Sequence, residues 1–223
     1  MSTQVVPQPR LHGGLTEDTC ELLLIRHGRS ADVAPGTPES ADPPLHELGE
    51  AQAQRLAERL RGKQIDAIAS SHLARARQTA APLAAARGLT VQELVDLEEV
   101  RLGDWSNGEF RRRAAAEDPE FVAWAATGRW DGIPGGESDA AFRSRVTAVI
   151  EELAVRHRGR TVPVVCHGGV IGAYLAAVLG SERTLWLAVE NTSVSVVHLG
   201  PHGAFVVAAN DCHHLYDPAF GPD

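Results

Sequence analysis

The chain has 223 residues, 43% hydrophobic and 22% charged, with a formal net charge of −8 at pH 7. That length suits one substantial core. No apolar run approaches membrane-spanning length, and the acidic balance argues against a general nucleic-acid binder. Three cysteines, Cys20, Cys166 and Cys212, are too few and too scattered for a disulfide framework and fit reduced thiols in a cytoplasm.

Residues 1–19 are polar, carry Pro7, Pro9, Gly13 and Gly14, and have no apolar signal-peptide core. They read as a flexible N-terminal tail before a single domain over 20–223. Residues 22–25 are all apolar and end abruptly in Arg26-His27-Gly28, the pattern of a buried strand. Residues 31–47 hold four prolines and predict a long loop, whose length marks a functional rim. Ala53, Leu56, Ala57 and Leu60 predict a helix ended by Gly62. Residues 65–69 predict a short strand. Ser70 or Ser71 is the expected N-cap of the next helix, with Leu73, Ala76, Ala80 and Leu83 on its apolar side. Residues 91–95 predict another strand.

Residues 97–134 show the least regular pattern. They hold Trp105, Trp124 and Trp130, of which Trp124 and Trp130 are expected to serve packing over substrate stacking, and the triplet Arg111-Arg112-Arg113, expected to be a solvated helical face, with a recognition patch for an anionic substrate as the alternative. Gly135-Gly136 precedes a helix with a core stripe of Phe142, Val146, Val149, Ile150 and Leu153. Residues 161–166 predict a second buried strand, ending in His167-Gly168-Gly169, and the apolar helix after it is expected to be internal. Residues 194–199 and 204–208 predict a closing pair of strands around a 200–203 turn. Strands alternating with helices give an α/β fold, a three-layer α/β/α sandwich with a mostly parallel central sheet.

Two strands therefore end in His-Gly. In open parallel α/β sheets ligands sit beyond the carboxyl ends of strands. Arg26 offers a fork of donors that fits phosphate. The neutral imidazole of His27 can attack phosphorus, with His167 donating to the phosphoryl oxygens. Cys212-His213-His214 predicts no metal site, because neighbouring side chains in an extended segment diverge and no second ligand pair has suitable spacing.

Leu24-Ile25-Arg26-His27-Gly28 resembles the signature of the histidine phosphatase superfamily, the phosphoglycerate mutase-like proteins. The blocks Ser70–Ala80, Leu97–Trp105, Gly135-Gly136-Glu137-Ser138, His167-Gly168-Gly169, Asn191-Thr192-Ser193 and Asn210-Asp211-x-x-His214-Leu215 resemble further landmarks, in family order. The resemblance implies a metal-independent phosphomonoesterase without cofactor, acting on a small phosphorylated metabolite. His27 is then the nucleophile, Arg26, Arg75 and His167 surround the transferring group, and Glu99, rather than its neighbour Glu98, is the general acid. Ser30 and Gly168 join Arg26 and Arg75 as substrate contacts, and residues 106–134 form a small cap-type insertion. A phosphoglycerate mutase and a catalytically silent phospho-ligand binder are the alternatives. The expected partner is a small-molecule phosphate ester, with no nucleic acid and no membrane, and a homodimer is the assembly to test. Val33 stands where many members carry a phosphate-contacting Asn, and His46 where a helix-capping Thr is usual.

Overall fold

The computed structural model describes residues 16–217, so residues 1–15 of the expected tail lie outside the described residues. Its six-stranded sheet consists of β1 (Cys20–Arg26), β2 (Ile68–Ser71), β3 (Val91–Leu94), β4 (Thr161–Cys166), β5 (Val194–Gly200) and β6 (Gly203–Asp211). The order is β3-β2-β4-β1-β5-β6. β3, β2, β4 and β1 are parallel neighbours, while β5 runs antiparallel to both β1 and β6. The helices are α1 (Glu47–Arg59), α2 (Ala74–Arg87), α3 (Glu109–Ala115), α4 (Pro119–Ala126), α5 (Asp139–Arg156) and α6 (Gly168–Val178). Among the described residues no helix is long and apolar enough to cross a membrane.

The apolar run in β1 is explained by burial on both faces. Successive side chains on a strand point to opposite sides. Leu22 and Leu24 join a core with α5 and α6, whereas Leu23 and Ile25 join a separate core with α1 and α2. Each fully buried leucine contributes roughly 1.5–3 kcal/mol of transfer free energy. A strand sandwiched in this way cannot alternate polar and apolar residues. α6 is buried over most of its length, as expected for an internal helix.

Two local expectations are corrected. The strand expected over 65–69 begins instead at Ile68, because Asp66 is tied to β4 by its side chain: Asp66 Oδ2 accepts from Thr161 N at 2.9 Å. β2 then extends to Ser71, which removes both serines from the N-cap of α2. The cap residue is Leu73, and the carboxylate of Asp42, reaching in from the proline-rich rim, accepts from Ala74 N at 3.0 Å. At α1 the unusual His46 does cap its helix, its Nδ1 accepting from Leu48 N at 3.1 Å.

The irregular 97–134 region is organised by aromatic packing. Trp105, Phe110, Phe121, Trp124 and Trp130 meet in pairs with ring centroids 5.1–6.3 Å apart. Trp130 also meets Phe142 of α5, which attaches the cluster to the main core. Edge-to-face pairs of this kind add about 0.5–1.5 kcal/mol beyond area burial.

The turn after β1 depends on two facing glycines. A Cβ on Gly28 would lie 2.6 Å from the Gly49 carbonyl oxygen, and a Cβ on Gly49 would lie 2.1 Å from the Arg29 carbonyl oxygen. The requirement at Gly28 is thus close approach to α1 rather than an unusual turn. Gly49→Ala should lower the unfolding free energy by about 1–3 kcal/mol through overpacking, measured by urea denaturation. A change under about 0.5 kcal/mol, the usual size for a surface site, would contradict the close approach.

Candidate active site

The carboxyl ends of β1 and β4 lie side by side, with Arg26 paired to Cys166 in the ladder. His27 and His167 follow those positions, and their ring centroids are 5.1 Å apart. Two histidines separated by 140 positions in the chain thereby become neighbours, because adjacent parallel strands end at the same level. His27 Nδ1 lies 2.7 Å from the Gly28 carbonyl oxygen. A carbonyl only accepts, so Nδ1 carries the proton and Nε2 keeps its lone pair. Arg75 Nε donates toward that nitrogen at 3.3 Å.

The backbone of this turn is pinned on several sides. Gly28 N donates to Thr79 Oγ1 at 2.9 Å, and Asn191 Nδ2 donates to the His27 carbonyl oxygen at 2.8 Å. Arg26 Nη1 donates to the Val189 carbonyl oxygen at 2.5 Å. Burial lowers the pKa of both Arg26 and Arg75 against the attraction of Glu99, without threatening their charge.

His167 is fully buried. Its Nε2 is 2.9 Å from Ser71 Oγ, which already accepts from Leu73 N at 3.3 Å. With the Ser71 hydroxyl donating to Nε2, the ring proton stands on Nδ1. That Nδ1 has no partner among the described residues. Gly168 opens α6 beside Arg26: a Cβ there would lie 3.7 Å from Arg26 Nε.

Glu99 and Glu98 separate clearly. Glu98 pairs with Arg101 at 2.6 Å. The Glu99 carboxylate accepts from Val100 N at 3.0 Å and from Gly169 N at 3.1 Å, so the His-Gly-Gly segment also orients this carboxylate. A Cβ at 169 would stand 2.3 Å from Glu99 Oε1 and 3.0 Å from Trp130 Cζ2, so any side chain there must push the carboxylate aside.

These groups border a cleft of about 430 Å³, lined among others by Arg26, His27, Ser30, Arg75, Glu99 and Arg111. Arg111 corrects the reading of its triplet. Arg112 pairs with Glu109 and Arg113 with Glu109 and Glu120, but Arg111 has no carboxylate partner among the described residues. Its Nη1 donates instead to Ser30 Oγ at 3.3 Å. Successive helical residues are about 100° apart and cannot share one face, a signal already present in the sequence. Trp124 and Trp130 are buried in packing as expected, but Trp130 also walls the cleft. With Glu98 and Arg101 neutralising each other, Arg26, Arg75 and Arg111 face Glu99 across the cleft and Asp42 stands behind Arg75, which leaves a basic pocket inside an acidic protein. Asp42, which lies 3.5 Å from Arg75 Nη1, is a site neighbour that no sequence spacing announced.

His213 and His214 diverge: the first meets Asp217, the second Arg59 and Thr192.

Burial, then Arg75 and Arg26, hold the His27 pKa well below 6.5. Burial and the same arginines, with His27, do so for His167. Both pKa values are depressed, so the unfolded chain takes up protons near pH 6.5 that the folded chain refuses. Their contribution is complete above about pH 6.5 and declines as pH falls below it. The thermal midpoint should therefore fall from pH 7 to about pH 5, while kcat for an aryl phosphate stays within about twofold, because His27, the expected nucleophile, resists protonation. A tenfold loss of kcat per pH unit below 6.5 would contradict this. Gly169→Ala should lower kcat by about tenfold or more by displacing Glu99; unchanged turnover would contradict the close fit.

Comparison with known proteins agrees with this geometry. The profile of the histidine phosphatase superfamily (branch 1) matches residues 22–212. Phosphoserine phosphatase 1 of Hydrogenobacter thermophilus is 33% identical over 199 residues, covering 87% of this chain and 94% of that protein. The metal-independent phosphoserine phosphatase of Arabidopsis thaliana is 34% identical over 210 residues, covering 91% and 86%. Among solved structures, a mycobacterial glucosyl-3-phosphoglycerate phosphatase superposes with a TM-score of 0.70 at 28% identity, covering 86% of this chain and 99% of that one. The chain belongs to the histidine phosphatase superfamily, branch 1, as a hydrolase.

Proposed function

We propose that this hydrolase of small phosphate esters works through phospho-His27, with Glu99 as general acid, and prefers esters that carry a second anionic group. The observation that carries the reading is the His27 Nδ1–Gly28 hydrogen bond at 2.7 Å, which leaves Nε2 as the nucleophilic atom.

The Nε2 lone pair forms a bond to phosphorus as the ester P–O bond breaks. The leaving oxygen takes that bond's electron pair and a proton from Glu99. Arg26, Arg75 and His167 Nδ1 donate to the phosphoryl oxygens; such preorganised donors supply a large share of catalysis in sites of this type. Water then attacks phosphorus, giving its proton to the Glu99 carboxylate. The P–N bond breaks, its electron pair returns to Nε2, and inorganic phosphate leaves.

Substrate choice belongs to residues 106–134, acting as a cap over the cleft. Ser106, Asn107, Phe110, Arg111 and Trp130 all line it. Ser30 and Arg111 together offer a hydroxyl and a guanidinium with no carboxylate partner among the described residues, a fork that suits a carboxylate. The relatives named for phosphoserine make O-phosphoserine the first ester to test. The free thiols of Cys20 and Cys166, both buried, fit a cytoplasmic enzyme.

Phosphate release from O-phosphoserine and from an aryl phosphate, in the presence of chelator, tests the reading. His27→Ala should lose about 10³-fold or more in kcat on both. Arg111→Ala should raise KM for phosphoserine about tenfold or more while leaving the aryl phosphate within about twofold. Glu99→Gln should leave the first-turnover burst from the aryl ester, a good leaving group, within about threefold and slow that from the alkyl ester about 10²-fold, while hydrolysis of the intermediate slows equally for both. Release unaffected by His27→Ala, or interconversion of phosphoglycerates without release, would overturn it.

A further inference from the structure

The site rests on a short loop between α6 and β5. Residues 188–193 supply the Val189 carbonyl that holds Arg26 and the Asn191 amide that holds His27. Thr192 N donates to the Arg26 carbonyl oxygen at 2.9 Å, and Arg26 N donates to the Ser193 carbonyl oxygen at 3.3 Å. This loop therefore touches nucleophile and guanidinium alike, and something must hold the loop.

The holder is the end of β6 and the turn after it, neither of which lines the cleft. Asn210 grips the loop at two points: its Oδ1 accepts from Glu190 N at 2.7 Å, and its Nδ2 donates to the Ala188 carbonyl oxygen at 2.9 Å. Those two residues flank Val189. His214 grips the other half. It is fully buried, its Nδ1 receives Arg59 Nη1 at 3.0 Å, and its Nε2 lies 3.2 Å from Thr192 Oγ1. An arginine can only donate, so the imidazole proton sits on Nε2 and is given to Thr192. The Thr192 hydroxyl then gives its own proton to the Asn191 carbonyl oxygen at 2.8 Å. Arg59 is fixed in turn by Asp211 at 2.5 Å. Each donor in this relay meets an acceptor.

Two residues of the assembly have left-handed backbones, Thr192 at φ 55° and Asn210 at φ 56°. Threonine is β-branched and disfavoured there, so its conformation persists only because surrounding bonds impose it.

We propose that Asn210 and His214 are positioning residues that set the phosphate cradle from behind, through the 188–193 loop. Asn210 acts on Arg26 by way of Val189, and His214 acts on His27 by way of Thr192 and Asn191. The proposal rests on the phosphohistidine reading for its kinetic consequences, but not for its effect on phosphate binding.

Asn210→Gly keeps the left-handed backbone comfortable and removes both grips. His214→Ala removes the second grip, whereas His214→Gln retains one donor and one acceptor. Binding of inorganic phosphate, measured by calorimetry on the purified chain, reports the cradle whether or not turnover occurs. Asn210→Gly should raise the phosphate dissociation constant about tenfold, the effect expected when one charge-assisted hydrogen bond to phosphate is misaligned. His214→Ala should lower kcat for an aryl phosphate about tenfold or more, with His214→Gln within about threefold of wild type. In an Arg26→Lys background, Asn210→Gly should cost phosphate binding no more than about twofold further, because coupled residues are non-additive. A merely structural role would lower thermal stability and add independently in both backgrounds, and that result would overturn the proposal. So would an Asn210→Gly protein that binds phosphate like wild type. Failure of His27→Ala to abolish turnover would instead strike the phosphohistidine reading alone.

Discussion

Everything at this site depends on one interaction, the hydrogen bond from His27 Nδ1–H to the Gly28 carbonyl. It decides which ring nitrogen keeps its lone pair, and it does so using the backbone of the next residue. The ring cannot rotate away without losing that acceptor in a buried setting, where an unmet donor costs about 1–3 kcal/mol. Burial and the two arginines keep the ring neutral, and neutrality is what a nucleophilic imidazole needs. The same arginines that disfavour a second proton on His27 are those that would receive phosphoryl oxygens.

The fold's part is to bring that hydrogen bond and its partners to one place. Parallel pairing of β1 and β4 sets two strand ends at one level, which puts His27 against His167. α2 brings Arg75, and the start of α6 brings the Gly169 N–H that orients Glu99. Glycines at 28, 49 and 169 are places where backbone or carboxylate approaches closer than any Cβ permits. Gathering three arginines around one glutamate is unfavourable for an empty pocket and favourable for one holding a phosphate dianion. That difference is the electrostatic basis of ligand selection.

The sequence is most legible where one residue type has one physical use. The unbroken apolar run of β1 could only be a strand covered on both faces. The repeated His-Gly at strand ends points to a shared site, and the blocks around Arg75 and Glu99 mark the remaining parts through family resemblance. The structure separates Glu99, held by two backbone amides, from Glu98, neutralised by Arg101. Asp42 is not legible, because its partner Ala74 lies 32 positions away across an irregular rim. The 210–215 segment is legible as a family landmark, but what it holds is not: Asn210 reaches the loop before β5 only because β6 folds back along β5. Arg111 is legible in part: three adjacent arginines suggest one solvated face, but helical geometry already sends them in three directions.

The central claim is that His27 reacts through Nε2. Rapid acid-free denaturation during turnover of a phosphate ester, followed by mass spectrometry and phosphorus NMR of the isolated peptide, identifies both the residue and the ring nitrogen. The account predicts phosphate on His27 at Nε2, the nitrogen left free by the Gly28 bond. Phosphate at Nδ1, or on any residue other than His27, would contradict it.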